Sequence, residues 1–81
     1  NMKEVWFEGK PIFISVHAIK RAREREIAYP DHILTVLNTG KVIRFGKNML
    51  KFVSRTKKGS IICVGEDLGH AIIIKTVERG N

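Results

Sequence analysis

The pattern of apolar and polar positions divides the chain into a helical first half and a strand-rich second half. Residues 16–25 carry apolar side chains at helical spacing, and Ser15 before them is a good N-cap because its hydroxyl accepts a first-turn amide. A second helix is predicted over residues 30–38, with Pro30 at its first position and Gly40 as its stop. Beyond Gly40 the apolar period becomes that of strands.

Four strands are predicted after the second helix, joined by turns rich in Gly, Lys and Asn. Their ranges are 41–45, 49–56, 60–65 and 71–77. Residues 71–74 are apolar on both faces, which places the last strand inside the sheet. A short extended segment at 3–8 is predicted before the first helix, and residues 12–14 lead into its cap. The sequence therefore predicts an α+β domain, with two N-terminal helices packed on an antiparallel sheet of about four strands.

The predicted core consists of the apolar residues that share one face of these elements. They are Ile19, Ala22, Ile33, Val36, Leu37, Ile62, Val64, Ile72 and Ile74. Phe45 and Phe52 are also expected inside, which argues against an aromatic platform for stacking bases.

Charge adds a strong feature to this picture. The 81 residues are enough for one domain, which we place at residues 2–81 because Asn1 precedes Met2. The chain has 15 Lys and Arg against 8 Asp and Glu, a net charge of +7, and no acidic residue occurs between Asp31 and Glu66. The whole excess therefore lies in residues 41–58. The bases of this segment are Lys41, Arg44, Lys47, Lys51, Arg55, Lys57 and Lys58.

Such a segment predicts a polyanionic partner, and RNA is the expected one, because neutralised phosphates supply most sequence-independent affinity for nucleic acids. The alternative is a solvated basic surface that only aids solubility. The chain has no apolar run of about 18 residues and no visible signal peptide. We therefore expect a cytoplasmic protein without a membrane partner.

The polar face of the first helix carries the candidate chemistry. Its residues are His17, Arg21, Glu24 and Arg25. A His beside guanidinium groups suits acid–base cleavage of a phosphodiester, in which Arg stabilises the charge that develops on the phosphate. Glu24 would orient the guanidinium groups and Arg25 would assist in positioning. The alternative is structural: a His near a helix start caps or packs, and Arg–Glu pairs at helical spacing are solvated ion pairs.

No metal or other cofactor is predicted. The three His residues are far apart in sequence, and none forms a close His-x-x-x-His pair. The single Cys63 lies in an apolar strand, so it is expected to be a core residue rather than a nucleophile.

The first helix also resembles the signature of a small prokaryotic family, domain of unknown function 4258, which reads roughly Ser-x-His-Ala-x-x-Arg-x-x-Glu-Arg-Gly-Ile. The matching residues are Ser15, His17, Ala18, Arg21, Glu24, Arg25 and Ile27. The resemblance extends over residues 12–77. The family has no established activity, but its members are similar to compact α+β RNase toxins of toxin–antitoxin systems. The resemblance thus implies RNase activity and an acidic antitoxin-like partner.

The chain departs from this signature at two helix ends. Glu26 replaces the Gly, which argues against a left-handed end of the first helix, and Tyr29-Pro30 replaces the residue that caps the second helix.

Three hypotheses follow. The first is a toxin-like, metal-independent endoribonuclease that uses His17 and Arg21, with the basic segment holding RNA. The second is a nucleic-acid-binding module without catalysis. The third is a protein-interaction module in which the helix motif is structural.

Overall fold

The computed structural model describes residues 5–80, which form two helices and six strands. The elements are β1 (Trp6–Phe7), β2 (Lys10–Ile14), α1 (Val16–Glu24), α2 (Asp31–Thr39), β3 (Lys41–Phe45), β4 (Met49–Thr56), β5 (Gly59–Asp67) and β6 (Ile72–Gly80). Among the described residues, no helix is long and apolar enough to cross a membrane.

The strands form one six-stranded sheet in the order β1-β2-β6-β5-β4-β3. The sheet is mixed, because β2 runs parallel to β6 with Ile12 opposite Ile72, whereas the other neighbours are antiparallel. The predicted fold, two helices on an antiparallel sheet of about four strands, is therefore wrong: the protein is mostly sheet, a mixed half-barrel with two helices. The interior place predicted for the last strand is confirmed, because β6 lies between β2 and β5.

The β1–β2 hairpin is the part of the sheet that the prediction lacked. Phe7 pairs with Lys10 across a two-residue turn, in which Glu8 and Gly9 have φ of 52° and 78°. Two consecutive left-handed residues are typical of the hairpin turn that matches the twist of the strands. The extended segment predicted at residues 3–8 is partly confirmed by β1, and its first two residues lie outside the described part of the chain.

Helix α1 begins as predicted and ends in an unexpected way. The Ser15 hydroxyl accepts a hydrogen bond from the Ala18 amide at 3.0 Å. At the other end Glu26 has φ of 57°, and the Ile27 amide donates to the Ala22 carbonyl at 2.8 Å. This is a left-handed Schellman ending, so the expectation drawn from the missing Gly is wrong. Burial of Ile27, which is 2% exposed, helps to hold the strained residue in place.

Helix α2 is displaced by one residue from its prediction. It begins at Asp31, with Pro30 as N-cap rather than first helical residue, and it ends at Thr39. Gly40 stops it in an extended conformation, with φ of −70°. A Cβ at this position would lie 2.5 Å from the Val36 carbonyl oxygen, so the close approach explains the Gly.

Both helices pack on the same face of the sheet, and the core lies between the helices and the sheet. Alternate residues of a strand lie on opposite faces, so Leu50, Phe52 and Cys63 enter this core, whereas Ile62 and Val64 are half-buried on the other face. The prediction that Ile62 and Val64 are core residues is therefore wrong. The predicted core residues Ala22, Ile33, Val36, Leu37, Ile72 and Ile74 are buried.

Two further expectations about the core fail. Ile19 is only half-buried, and Phe45 is 41% exposed. Phe45 pairs with Met49 on the face without helices. Phe52 lies three residues after Met49 on β4, so strand alternation places it on the helix-covered face, where it is buried.

Candidate functional site

The structure brings the four residues predicted on the first helix into one continuous strip, here called the α1 strip: His17, Arg21, Glu24 and Arg25. Arg21 connects its two ends. The Arg21 Nε atom donates to His17 Nε2 at 3.4 Å, and its Nη1 atom donates to Glu24 Oε1 at 2.8 Å. His17 itself is exposed and its side chain makes no other hydrogen bond within residues 5–80, so it does not hold the core together.

Glu24 has the role of an acceptor that fixes the guanidinium groups. The hydrogen bond from Arg21 lowers the pKa of the Glu24 carboxyl below its usual value, and Arg25 Nη1 lies 3.8 Å from the same oxygen. Glu24 is therefore a carboxylate at neutral pH. The Arg25 side chain is held as well, because its Nη1 atom donates to the Arg21 carbonyl oxygen at 3.4 Å.

At the C-terminal end of α1 the strip opens into a cleft of about 290 Å³. The residues that line this cleft are Glu24, Arg25, Glu26, Lys58 and Arg79. Arg79 comes from the end of β6, where its Nε atom donates to the Arg25 carbonyl oxygen at 3.4 Å. Neither Lys58 nor Arg79 has an acidic partner within 4.0 Å among the described residues. Their positive charges are therefore free to meet an anion.

The turn between β4 and β5 places Lys58 beside the helix. Thr56 closes this turn: its Oγ1 atom donates to the Gly59 carbonyl oxygen at 2.6 Å and accepts the Lys58 amide at 3.1 Å. Gly59 has φ of 107°, which L side chains rarely adopt. The local sequence thus fixes the turn, and the fold then brings it to the end of α1.

The seven basic residues of the segment 41–58 do not form one surface. Lys57 and Lys58 occupy the turn at the α1 end of the sheet, and Lys47 lies in the β3–β4 turn, about 24 Å away along β4. Lys41, Lys51 and Arg55 lie on the sheet face without helices, which is also the face of Val53. Lys51 and Arg55 are each two residues from Val53 along β4, and Lys41 is opposite Val53 on β3.

Arg44 is engaged within the protein. Its Nη2 atom donates to Glu8 Oε1 at 2.8 Å, its Nη1 atom lies 3.6 Å from Asp67, and the guanidinium lies 5.7 Å from the centre of the Phe7 ring. These contacts join the β1–β2 hairpin to β3. Of the predicted RNA-binding residues, the structure thus brings only Lys58 into the cleft with the α1 strip.

Arg79 is the basic residue of this cleft that sequence reasoning missed, and Glu26 is the acidic one. The only signal for Arg79 was a strand that continues past residue 77, since β6 extends to Gly80. Its pairing with Ile61 places it on the helix-covered face, close to the end of α1.

The remaining candidates lie away from the cleft. Burial raises the pKa of the Cys63 thiol to about 12, so this residue is unsuited to act as a nucleophile. His32 is exposed on α2 and His70 is exposed in the turn before β6. Within residues 5–80, no group of three or more His, Cys, Asp and Glu side chains is arranged to hold a metal ion.

Comparison of the chain with protein families, with curated proteins and with solved structures finds no match. The resemblance to domain of unknown function 4258 therefore depends on the helix residues and stays a prediction.

Proposed function

We propose that the protein binds RNA along the α1 strip and the adjoining cleft, and cleaves it there in a reaction that needs no metal ion. One observation carries this proposal: an exposed His17 lies beside Arg21 at one end of a strip whose other end holds the unpaired cations Lys58 and Arg79. A chain of phosphates laid along α1 would meet these groups in sequence. The strip from residue 17 to residue 25 is about 12 Å long, which is enough to contact more than one phosphate of a strand.

The chemistry assigned to the strip is an intramolecular transfer at phosphorus. His17 Nε2 accepts a hydrogen bond from Arg21 Nε in the free protein. When Arg21 turns to the phosphate this hydrogen bond is released, and the Nε2 lone pair then takes the proton of a 2′-hydroxyl. The 2′-oxygen then bonds to the adjacent phosphorus, the bond from phosphorus to the 5′-oxygen breaks, and that oxygen takes a proton from water. Arg21 neutralises charge on the non-bridging oxygens. The products are a 2′,3′-cyclic phosphate and a 5′-hydroxyl.

A second candidate function is RNA binding without cleavage. It is favoured by the state of Glu24, which is held as a carboxylate by Arg21 and therefore cannot supply the proton that the leaving oxygen needs. In this case the same strip and cleft bind phosphates and no bond is broken.

The test uses single-stranded RNA of mixed sequence, incubated with the protein in excess EDTA. We expect cleavage with 2′,3′-cyclic phosphate ends, and a rate about 10²- to 10⁴-fold lower for His17→Ala. His32→Ala is the matched control, because His32 is also an exposed helical His but lies outside the strip. A DNA strand of the same sequence should bind and remain intact, because deoxyribose has no 2′-hydroxyl.

Three results separate the candidates. Equal cleavage by wild type and His17→Ala, at equal melting temperature, contradicts the catalytic proposal. Salt-sensitive binding without cleavage by the wild type selects the second candidate. Absence of both binding and cleavage rules out both.

A further inference from the structure

The face of the sheet that carries no helix is apolar and uncovered among the described residues; we call it the open face. Its apolar residues include Phe13, Ile43, Phe45, Val53, Val64 and Ile73. The side chains on its margins are the most accessible, with Phe13, Ile43 and Phe45 exposed by 58%, 38% and 41%. Contiguous apolar surface of this kind marks an interaction site in soluble proteins.

The strand register shows that this surface extends across five strands, with Glu66 as the one charged residue of its longest row. Phe45, Met49, Glu66, Ile73 and Phe13 lie opposite one another in a single row that crosses five strands. Neighbouring strands are about 4.8 Å apart, so the row is about 19 Å wide. That width exceeds the roughly 10 Å diameter of an α-helix, so a helix can lie on the face and bury one side completely.

Charge on the open face is unequally distributed. Lys41, Lys51 and Arg55 lie on its β3–β4 half, and none of them has an acidic partner among the residues that the structure describes. The β5–β6 half carries two acidic residues: Glu66, whose Oε1 atom is 2.8 Å from Lys75 Nζ, and the exposed Glu78, opposite Ile62. The β3–β4 half is thus positive and uncompensated, which complements an acidic partner.

The surface suits protein better than nucleic acid. Its centre consists of the branched aliphatic side chains of Val53, Val64 and Ile73, which provide no aromatic plane on which a base can stack. The exposed rings of Phe45 and Phe13 stand at opposite ends of the row, about 19 Å apart, and Lys51 Nζ lies 5.8 Å from the centre of the Phe45 ring. A sheet with one face covered by helices buries an apolar second face only under another layer, and a helix or a second sheet can supply that layer.

We propose that the open face binds an amphipathic helix of a partner protein, whose acidic residues lie along the side that meets β3 and β4. The apolar stripe of this helix would cover Val53, Val64 and Ile73, and its carboxylates would pair with Lys51 and Arg55. The inference does not depend on RNA cleavage, since it concerns the opposite face of the sheet.

The experiment uses a synthetic 18-residue helical peptide with a Leu stripe and Glu residues along one flank, labelled for fluorescence anisotropy. Two peptides serve as controls: an isomer of the same composition in which the stripe is broken, and a version with Lys in place of Glu. We expect the acidic amphipathic peptide to bind at least tenfold more tightly than either. Lys51→Glu with Arg55→Glu should weaken its binding at least tenfold, and Ile43→Ser should weaken it severalfold.

The double variant Lys47→Glu with Lys57→Glu is the matched charge control, because both residues are exposed in turns of the sheet and lie outside the open face. It should leave the peptide affinity within about twofold, as expected for a charge outside the buried contact. Absence of peptide binding overturns the proposal. So does equal binding of the broken-stripe isomer, or binding insensitive to Lys51 and Arg55. A 20-nucleotide oligouridylate whose binding, rather than that of the peptide, depends on these residues would assign the face to RNA.

Discussion

The cleft at the end of α1 and the open face of the sheet use the same basic segment in different ways. In the cleft, Lys58 lies among charged groups, with Glu24 and Glu26 lining the same space, and apolar side chains are few. On the open face, Lys51 and Arg55 border branched aliphatic side chains. The first environment suits a fully ionic ligand such as a phosphate chain, and the second suits a ligand that is partly apolar.

The difference teaches that charge counted along a sequence does not define a surface. Arg55 and Lys58 are three residues apart, but strand alternation places Arg55 on the open face, and the turn carries Lys58 to α1. Arg44, in the same segment, is neutralised by Glu8 and is available to neither surface.

The largest expected effect comes from a core residue beneath the sheet, because it should weaken both regions together. Phe52 is fully buried, and its ring lies 5.6 Å from that of Phe7, centre to centre. Phe52→Ala should lower the free energy of unfolding by about 3–5 kcal/mol, as measured by urea denaturation. Phe45→Ala, on the open face, should cost less than about 1 kcal/mol, since its ring is already half in water. Equal losses of unfolding free energy in the two variants would contradict the assignment of Phe52 to the core and of Phe45 to the open face.

A pH titration should separate carboxylates that hold the fold from those that orient the site. Asp67 accepts hydrogen bonds from Lys10 Nζ at 2.8 and 3.0 Å, and these contacts keep the pKa of its carboxyl below the usual value. Its stabilising contribution is therefore present above the unfolded pKa of about 3.9 and is lost as pH falls through the lower folded pKa.

Asp67→Asn should lower the melting temperature at pH 7, and should reduce the fall in melting temperature on acidification below about pH 4. Glu24→Gln is the comparison from the α1 strip. The Arg21 hydrogen bond lowers the pKa of Glu24 as well, but the side chain is 43% exposed, against 11% for Asp67. The Glu24 variant should change the melting temperature less. A larger loss for Glu24→Gln would contradict this assignment.

The smallest effect concerns the left-handed residue at the rim of the cleft. Glu26 has φ of 57°, a conformation that costs an L-residue about 1–2 kcal/mol. Glu26→Gly should raise the free energy of unfolding by about 0.5–1 kcal/mol, after the greater freedom of Gly in the unfolded chain is counted. Glu26→Ala removes the same charge but keeps the Cβ, so it should bring no such gain. Equal stabilities of the two variants would show that the backbone there is unstrained.

Features that depend on neighbouring residues could be predicted from the sequence. The Ser15 cap and the bounds of β3 and β4 agree with their predictions, because a hydroxyl, an alternating pattern and turn residues act over a few positions. The strip on α1 is of the same kind, since residues four apart on a helix are neighbours by geometry.

The failures concern contacts between distant parts of the chain. The three apolar residues 12–14 are too few to show a strand period, so their parallel pairing with β6 was not visible. Arg79 reaches the cleft only because β6 lies beside β5 and ends near α1, a contact that spans 54 residues. The left-handed Glu26 was missed because its local cost is offset by burial of Ile27.

The measurement that most directly tests the division between the two regions is the salt dependence of RNA binding by two double variants. Lys58→Gln with Arg79→Gln and Lys51→Gln with Arg55→Gln each remove two positive charges, so their effect on net charge is the same. If RNA follows α1 and the cleft, the first pair should weaken binding and flatten the slope of log affinity against log salt by about 1.4, the value for two single-strand phosphates. The second pair should leave that slope unchanged. A slope that is flattened by the Lys51 and Arg55 changes, and not by those at Lys58 and Arg79, would place RNA on the open face and contradict the account.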